Sequence, residues 1–237
     1  MKTLVVLMIS LLTLGAQAQS LIGAWERNYT SEDGEQLKSV VIISDGYQVL
    51  TTYNSETGAF IHSNGGTWSL DGDTMTETVE FHTDNSEMVG QEFNFKIILT
   101  DSELKVVGDG EGMKFSRIDN GNPGKLNGAW LMSERMRNGE LQSRDTSRPR
   151  KTMKILSGTR FQWIAYNTET KQFMGTGGGT YTTIDGTYTE NIEFFSRDNT
   201  RVGASLEFDY SLEDGDWHHK GFSSKGDPLY EIWSIRK

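Results

Sequence analysis

The chain has 237 residues, no cysteine and a formal net charge of −10. The absence of cysteine excludes disulfides, cysteine-ligated metals and a cysteine nucleophile. The excess of carboxylates argues against nucleic acid or an anionic membrane as the main partner, because both carry negative charge.

The N-terminus reads as a secretory signal peptide over residues 1–18. Lys2 is followed by a short apolar run, and Ala16-Gln17-Ala18 is an A-x-A site with cleavage before Gln19. A retained membrane anchor is the alternative. No cysteine follows the run to carry a lipid, and no later apolar run is long enough to span a bilayer. We therefore expect a secreted or periplasmic protein without an integral membrane segment after cleavage.

The chain contains a domain-sized internal repeat. Residues 53–108 align without a gap with residues 166–221, at a constant offset of 113. Each copy is preceded by a Gly-x-Trp, which ends at Trp25 in the first and at Trp130 in the second. The repeat is too long for a solenoid unit and has the size of a domain. We predict a first domain at 19–119, a linker at 120–125 and a second domain at 126–237.

Within each copy apolar residues recur at every second position, and turn signals such as Asp-Gly recur about every ten residues. This pattern predicts about eight antiparallel strands per copy, with room for a short helix or 3₁₀ turn before each Gly-x-Trp or near residues 84–89. An up-and-down barrel or a sandwich fits such strands, and a barrel is favoured because closure removes exposed sheet edges. The predicted fold class is all-β, with two tandem eight-stranded antiparallel barrels.

The Gly-x-Trp at the start of each copy resembles the first-strand motif of lipocalins. In that fold an arginine from the last strand packs across the tryptophan ring, and Arg117 and Arg236 stand near the ends of the two copies. The resemblance implies structural pairs of Trp25 with Arg117 and of Trp130 with Arg236, each held by a cation–π contact.

The second copy is also similar to an uncharacterised lipocalin-like family of bacterial proteins labelled "membrane or secreted". The similarity rests on RFQW at 160–163, GGGTY at 177–181, YTENIEFF at 188–195 and EIW at 231–233. It spans most of residues 126–237 and is weaker over residues 21–119. That family implies no particular activity.

Glu77 and Glu190 are equivalent candidates for a binding role. Each alternates with apolar residues on one strand face, so each is expected to point into its barrel. A buried carboxylate is costly unless it is paired or neutralised. It either pairs with an inward-facing Arg, Tyr or Trp, binds a polar group of a ligand, or acts as a general acid or base.

Aromatic residues on the predicted inner faces are the other candidate ligand contacts, and the alternative is that they simply form the core. They are Trp163, Tyr181, Tyr188 and Phe194 in the second copy and Trp68 in the first. Glycine runs at 65–66 and 177–179 are expected to mark bends or bulges. An insertion near residues 141–150 is basic, either as a solvated loop or as the site of an anionic partner.

Enzyme signatures are missing from the sequence. The four histidines do not form a metal-ligand pattern, and there is no G-x-S-x-G motif. We therefore expect no catalytic residues, no metal and no cofactor. The predicted function is a secreted binding protein for a small apolar or amphipathic ligand, with the second barrel favoured over the first as its site. The alternative is a filled pair of barrels that binds a protein or a glycan through loops or outer faces.

Overall fold

The computed structural model describes residues 20–108, 112–223 and 226–237. The predicted signal peptide therefore lies outside the described residues. The first barrel is closed by antiparallel pairing of each strand with the next and of β8 with β1. Its strands are β1 (Gly23–Thr30), β2 (Gln36–Ser44), β3 (Tyr47–Asn54), β4 (Phe60–Asp71), β5 (Thr74–His82), β6 (Glu92–Leu99), β7 (Glu103–Val106) and β8 (Met113–Asp119).

The second barrel repeats this order with one additional strand. Its strands are β9 (Gly128–Arg137), β10 (Glu140–Ser143), β11 (Arg150–Leu156), β12 (Arg160–Asn167), β13 (Gln172–Ile184), β14 (Thr187–Phe195), β15 (Ser205–Glu213), β16 (Asp216–Phe222) and β17 (Pro228–Ile235). Pairing of β9 with β17 closes a ring of eight, and β10 extends β9 as a hairpin outside that ring. The basic insertion therefore contains a strand that the sequence did not predict.

The predicted fold class is confirmed: the protein is all-β, with two tandem eight-stranded antiparallel barrels. The predicted 3₁₀ turn is present at Ser86–Met88, and a second one occupies the equivalent place at Asn199–Arg201. Both glycine runs mark bulges, between Gly65 and Gly66 and between Gly178 and Gly179. A Cβ atom on Gly66 would collide with the carbonyl oxygen of Thr78, so the bulge requires glycine there.

The two Gly-x-Trp motifs close one end of each barrel. The Nε1 of Trp25 donates a hydrogen bond to the Leu21 carbonyl at 3.0 Å, and the Nε1 of Trp130 donates to the Leu126 carbonyl at 2.9 Å. The guanidinium of Arg117 lies 3.9 Å from the centroid of the Trp25 ring, which is the contact that the sequence predicts.

The corresponding expectation for Arg236 is wrong. Its guanidinium lies 4.1 Å from the ring centroid of Tyr47, in the other barrel, and it does not cover Trp130. Strand pairing places Ile235 opposite Trp130, so Arg236 is one residue beyond the position equivalent to Arg117. Arg236 therefore faces the neighbouring barrel and belongs to the interface between the two domains.

The barrels pack against each other through an apolar cluster that contains residues of both. The outer faces of β2, β3 and β5 meet those of β9, β11, β12 and β14. The contacts follow the 113-residue offset, so the interface is approximately two-fold symmetric, as in a homodimer. The aromatic pairs are Phe60 with Phe173 (centroids 6.4 Å apart), Tyr53 with Phe194 (5.1 Å) and Tyr166 with Phe81 (5.2 Å).

Two equivalent carboxylates sit within this interface. Glu80 accepts hydrogen bonds from the Tyr166 hydroxyl at 2.6 Å and from both terminal nitrogens of Arg236, at 2.7 and 2.8 Å. Glu193 accepts from the Tyr53 hydroxyl at 2.5 Å and from Arg160 at 2.6 Å. Because Glu80 and Glu193 lie on the strand faces opposite Glu77 and Glu190, alternation alone predicts that they face solvent; the structure shows instead that both lie at the domain interface.

Asp119, at the end of β8, fixes the relative position of the domains. Its carboxylate accepts hydrogen bonds from the Ser157 hydroxyl at 2.8 Å and from the backbone amides of Gly158 and Thr159, each at 3.0 Å. Because these donors lie in the turn between β11 and β12, the end of the first barrel is held directly against the second.

Candidate ligand-binding cavities

The first barrel encloses a cavity of about 410 Å³. Its wall is mostly apolar and is formed by residues of the seven strands β2 to β8. The apolar lining residues are Val41, Ile43, Leu50, Met75, Phe95, Ile97, Leu104, Val106, Met113 and Phe115. Met113 is 41% exposed and lies at the mouth. The polar lining is confined to His62, Asn64, Gln48 and Glu77.

Glu77 is the charged group of this cavity, as its position on the inner face of β5 predicts. It is 8% exposed and accepts a hydrogen bond from the side-chain amide of Gln48. Burial raises the pKa of Glu77 to about 6, and hydrogen bonds from Gln48 and Asn64 oppose the increase only in part. Among the described residues Glu77 has two amides as neighbours and forms no ion pair, so it remains able to accept a further hydrogen bond from a ligand.

We expect Glu77→Gln to remove a pH dependence of stability. The pKa of Glu77 is higher in the folded than in the unfolded chain, so ionisation opposes folding: stability falls as the pH rises from about 4.5 through 6. Between pH 5 and pH 8 the wild-type protein should lose about 1 to 2 kcal/mol relative to the variant. Urea unfolding of both proteins at both pH values measures this difference. The same change in free energy of unfolding between pH 5 and pH 8 in the two proteins would contradict it.

The second barrel has a smaller cavity of about 240 Å³ with a more polar wall. Trp163, Phe195, Phe208 and Trp233 provide aromatic surface, and Lys154, Glu190, Glu231 and His219 provide polar groups. Burial, followed by the charge of Lys154, lowers the pKa of His219 to about 4, so its ring is neutral at pH 7.

Glu190 lies in this wall, as predicted, but it already has a partner. The Nζ of Lys154 donates to Glu190 Oε1 at 2.7 Å, and both side chains are less than a tenth exposed. The Lys154 ammonium also lies 4.8 Å from the ring centroid of Trp217 and 5.2 Å from that of Trp233. The structure therefore assigns Glu190 first to an internal ion pair, with a lysine that the sequence pattern did not single out.

The predicted aromatic contacts divide among three places. Trp163 lines the second cavity. Tyr181 and Tyr188 lie in the packed core of that barrel, where the Tyr181 hydroxyl donates to the Ser157 carbonyl at 2.6 Å. Trp68 packs partly buried against the core of the first barrel and donates to the Ser44 carbonyl at 2.9 Å.

Phe194 is not a cavity residue, contrary to the expectation from sequence. The bulge between Gly178 and Gly179 pairs Gly179 with Ile192 and Gly178 with Phe194, so one residue of β14 is extra. One extra residue reverses the alternation of the faces. Phe194 consequently faces the first barrel, and Phe195 takes its place on the cavity wall.

The described residues hold no group of three or more His, Asp or Glu side chains placed to bind a metal ion. They also include no helix with the length and apolar character required to cross a bilayer.

The second barrel is the part of the chain that is similar to a known family. No curated protein matches the chain. Residues 125–235, which run from the linker to the end of β17, match the family model described as "Domain of unknown function (DUF4488)".

Proposed function

We propose that this protein is an exported, non-catalytic binding protein that holds a small apolar or amphipathic molecule inside a barrel, and that the first barrel is the main site. The observation that supports this proposal is the cavity of about 410 Å³ in the first barrel. Its volume falls within the usual range of roughly 300–1,000 Å³ for small-molecule sites. The sequence favoured the second barrel, whose cavity is smaller.

The character of the wall defines the class of ligand. Apolar side chains surround most of the cavity, and two of its polar lining residues, Gln48 and Asn64, donate hydrogen bonds to Glu77. An apolar body carrying one hydrogen-bond donor, such as a hydroxyl or an amide N–H, would satisfy both regions. Binding is favoured over catalysis because the groups in contact with Glu77 are amides, which hold a ligand but do not exchange protons.

A pair of neighbouring valines gives a test of this site. Val106 lines the cavity, whereas Val107 is 40% exposed. We expect Val106→Phe to fill part of the cavity and to weaken binding of the neutral fluorescent probe N-phenylnaphthylamine at least about tenfold, a loss of about 1.4 kcal/mol. Val107→Phe adds the same side chain outside the cavity and should leave binding unchanged. Fluorescence titration of the full chain measures both variants.

The natural ligand can be sought in parallel by native mass spectrometry of protein purified from its own host. A bound mass of a few hundred daltons that is lost in Val106→Phe but retained in Val107→Phe would support the proposal. Equal probe binding by both variants would contradict the assignment to the first barrel. A clean apo mass together with no probe binding would instead favour the alternative of a protein or glycan partner.

A further inference from the structure

The basic insertion forms a groove of about 450 Å³ on the surface of the second barrel. Four cations line it: Arg144, Arg148, Arg150 and Lys151. The only carboxylate among its lining residues is that of Asp145. The groove is therefore strongly positive, although the chain as a whole has a net charge of −10.

Three of these cations form no ion pair with the part of the chain that the structure describes. Asp145 pairs with Arg148 at 3.4 Å and accepts hydrogen bonds from Ser147. Within the described residues, Arg144, Arg150 and Lys151 have no carboxylate oxygen within 4.0 Å. Burial, and then the neighbouring charge of Arg150, lower the pKa of Arg144. An anion in the groove would relieve this repulsion.

The groove adjoins the cavity of the second barrel. Met132 of β9 and Thr152 of β11 line both spaces. Arg144 lies over this shared rim: its Nη1 is 3.0 Å from Met132 Sδ and 3.4 Å from Thr152 Oγ1. Lys154, two residues along the same face of β11, is already inside the barrel. A molecule that contacts Arg144 therefore lies at the rim of the cavity.

The cavity itself contains polar groups without partners. His219 is 2% exposed, and within the described residues neither of its ring nitrogens makes a hydrogen bond. The Oε2 of Glu231 lies 3.6 Å from the Nδ1 of His219, which is beyond hydrogen-bond distance. The indole Nε1 of Trp233 is likewise buried and without a partner among the described residues. Buried polar groups are normally satisfied, so these atoms point to a ligand with hydrogen-bonding groups of its own.

We propose that the groove and the cavity of the second barrel form one site for a small aromatic anion. The phosphate or carboxylate group would lie between Arg144, Arg150 and Lys151. The ring would pass the rim formed by Met132 and Thr152 and stack among Trp163, Phe195 and Phe208. This site differs in position and in ligand chemistry from the site proposed in the first barrel.

The test uses 2-naphthyl phosphate as the probe, with inorganic phosphate and 2-naphthol as its two halves. We expect calorimetry on the full chain to show one molecule of 2-naphthyl phosphate bound, more tightly than either half. Arg144→Gln should weaken binding at least about tenfold, as expected for loss of one charge-assisted contact. Arg137→Gln is the matched control, because it removes the same charge from the exposed end of β9 outside the groove.

A second pair of variants separates this site from the first barrel. Ala204 lines the second cavity, so Ala204→Phe should abolish binding of 2-naphthyl phosphate, whereas Val106→Phe should not affect it. Equal affinities in Arg144→Gln and Arg137→Gln would overturn the proposal. So would inorganic phosphate binding as tightly as 2-naphthyl phosphate, because the groove alone would then account for the affinity. Loss of N-phenylnaphthylamine binding leaves these outcomes unchanged, so the two proposals fail independently.

Discussion

Replacing Lys154 by methionine should destabilise the protein by about 3–5 kcal/mol, because the buried Glu190 carboxylate would lose its cation. The ion pair is 2.7 Å long and almost fully buried, so the carboxylate left behind would be poorly solvated. Urea unfolding followed by tryptophan fluorescence measures the change, since the Lys154 ammonium lies close to the rings of Trp217 and Trp233. Lys125→Met, in the exposed linker, should change stability by less than about 0.5 kcal/mol.

The double variant Lys154→Met with Glu190→Gln distinguishes a pair effect from loss of packing. Without either charge there is no uncompensated ion, so the double variant should be more stable than Lys154→Met alone. Glu190→Gln alone should also be destabilising, because it leaves the Lys154 ammonium buried. If Glu190 were a ligand contact without a structural partner, as one reading of the sequence has it, Glu190→Gln would instead preserve folding and weaken ligand binding. Additive effects of the two substitutions would show that the pair is not coupled.

Glu80→Gln should cost about 3 kcal/mol, and Glu193→Gln should cost clearly less, although the two residues are equivalent in the repeat. Glu80 is the only carboxylate paired with Arg236 among the described residues, and both side chains are largely buried, at 16% and 10% exposed. Loss of its charge would leave the Arg236 guanidinium without a counterion. Glu193 is 30% exposed, and its partner Arg160 also lies 3.8 Å from the carboxylate of Glu26. Arg160 would therefore still have a counterion in Glu193→Gln.

Thermal unfolding of the two variants beside Glu92→Gln, an exposed control, measures this difference. We expect the control to match the wild type and the midpoint of Glu80→Gln to be the lowest of the four. Equal midpoints for Glu80→Gln and Glu193→Gln would contradict the prediction. They would show that the greater exposure of Glu193 and the contact of Arg160 with Glu26 do not reduce the loss of stability in Glu193→Gln.

The barrels could be predicted from sequence because strand periodicity and turn residues are local signals. Phe95 and Ile97 alternate with polar residues along β6, and the observed strand spans that segment. The bulges were also foreseen at the glycine runs, but their effect on the faces was not. A bulge changes which side chains point inward by one position, so Phe194 was assigned to the wrong side.

One strand of the domain interface can be recognised in the sequence by a run of consecutive apolar residues, which differs from the alternating pattern of a strand with one face in solvent. Val40, Val41, Ile42 and Ile43 are consecutive and all buried, which shows that β2 is covered on both faces. Lys154 gave no comparable signal. A lysine between apolar neighbours on a strand usually faces solvent, and its pairing with Glu190 depends on strands that are distant in sequence.

The two-fold symmetry of the domain interface has a consequence for how this chain can diversify. In a dimer of identical subunits, each substitution is made twice, so both cavities change together. Here the two halves are encoded separately, and a substitution such as Lys154 at the position of Val41 alters one barrel alone. The shared interface can stay fixed while the two interiors diverge. The present chain already shows this difference, with a mostly apolar cavity in the first barrel and a cavity lined by charged side chains in the second.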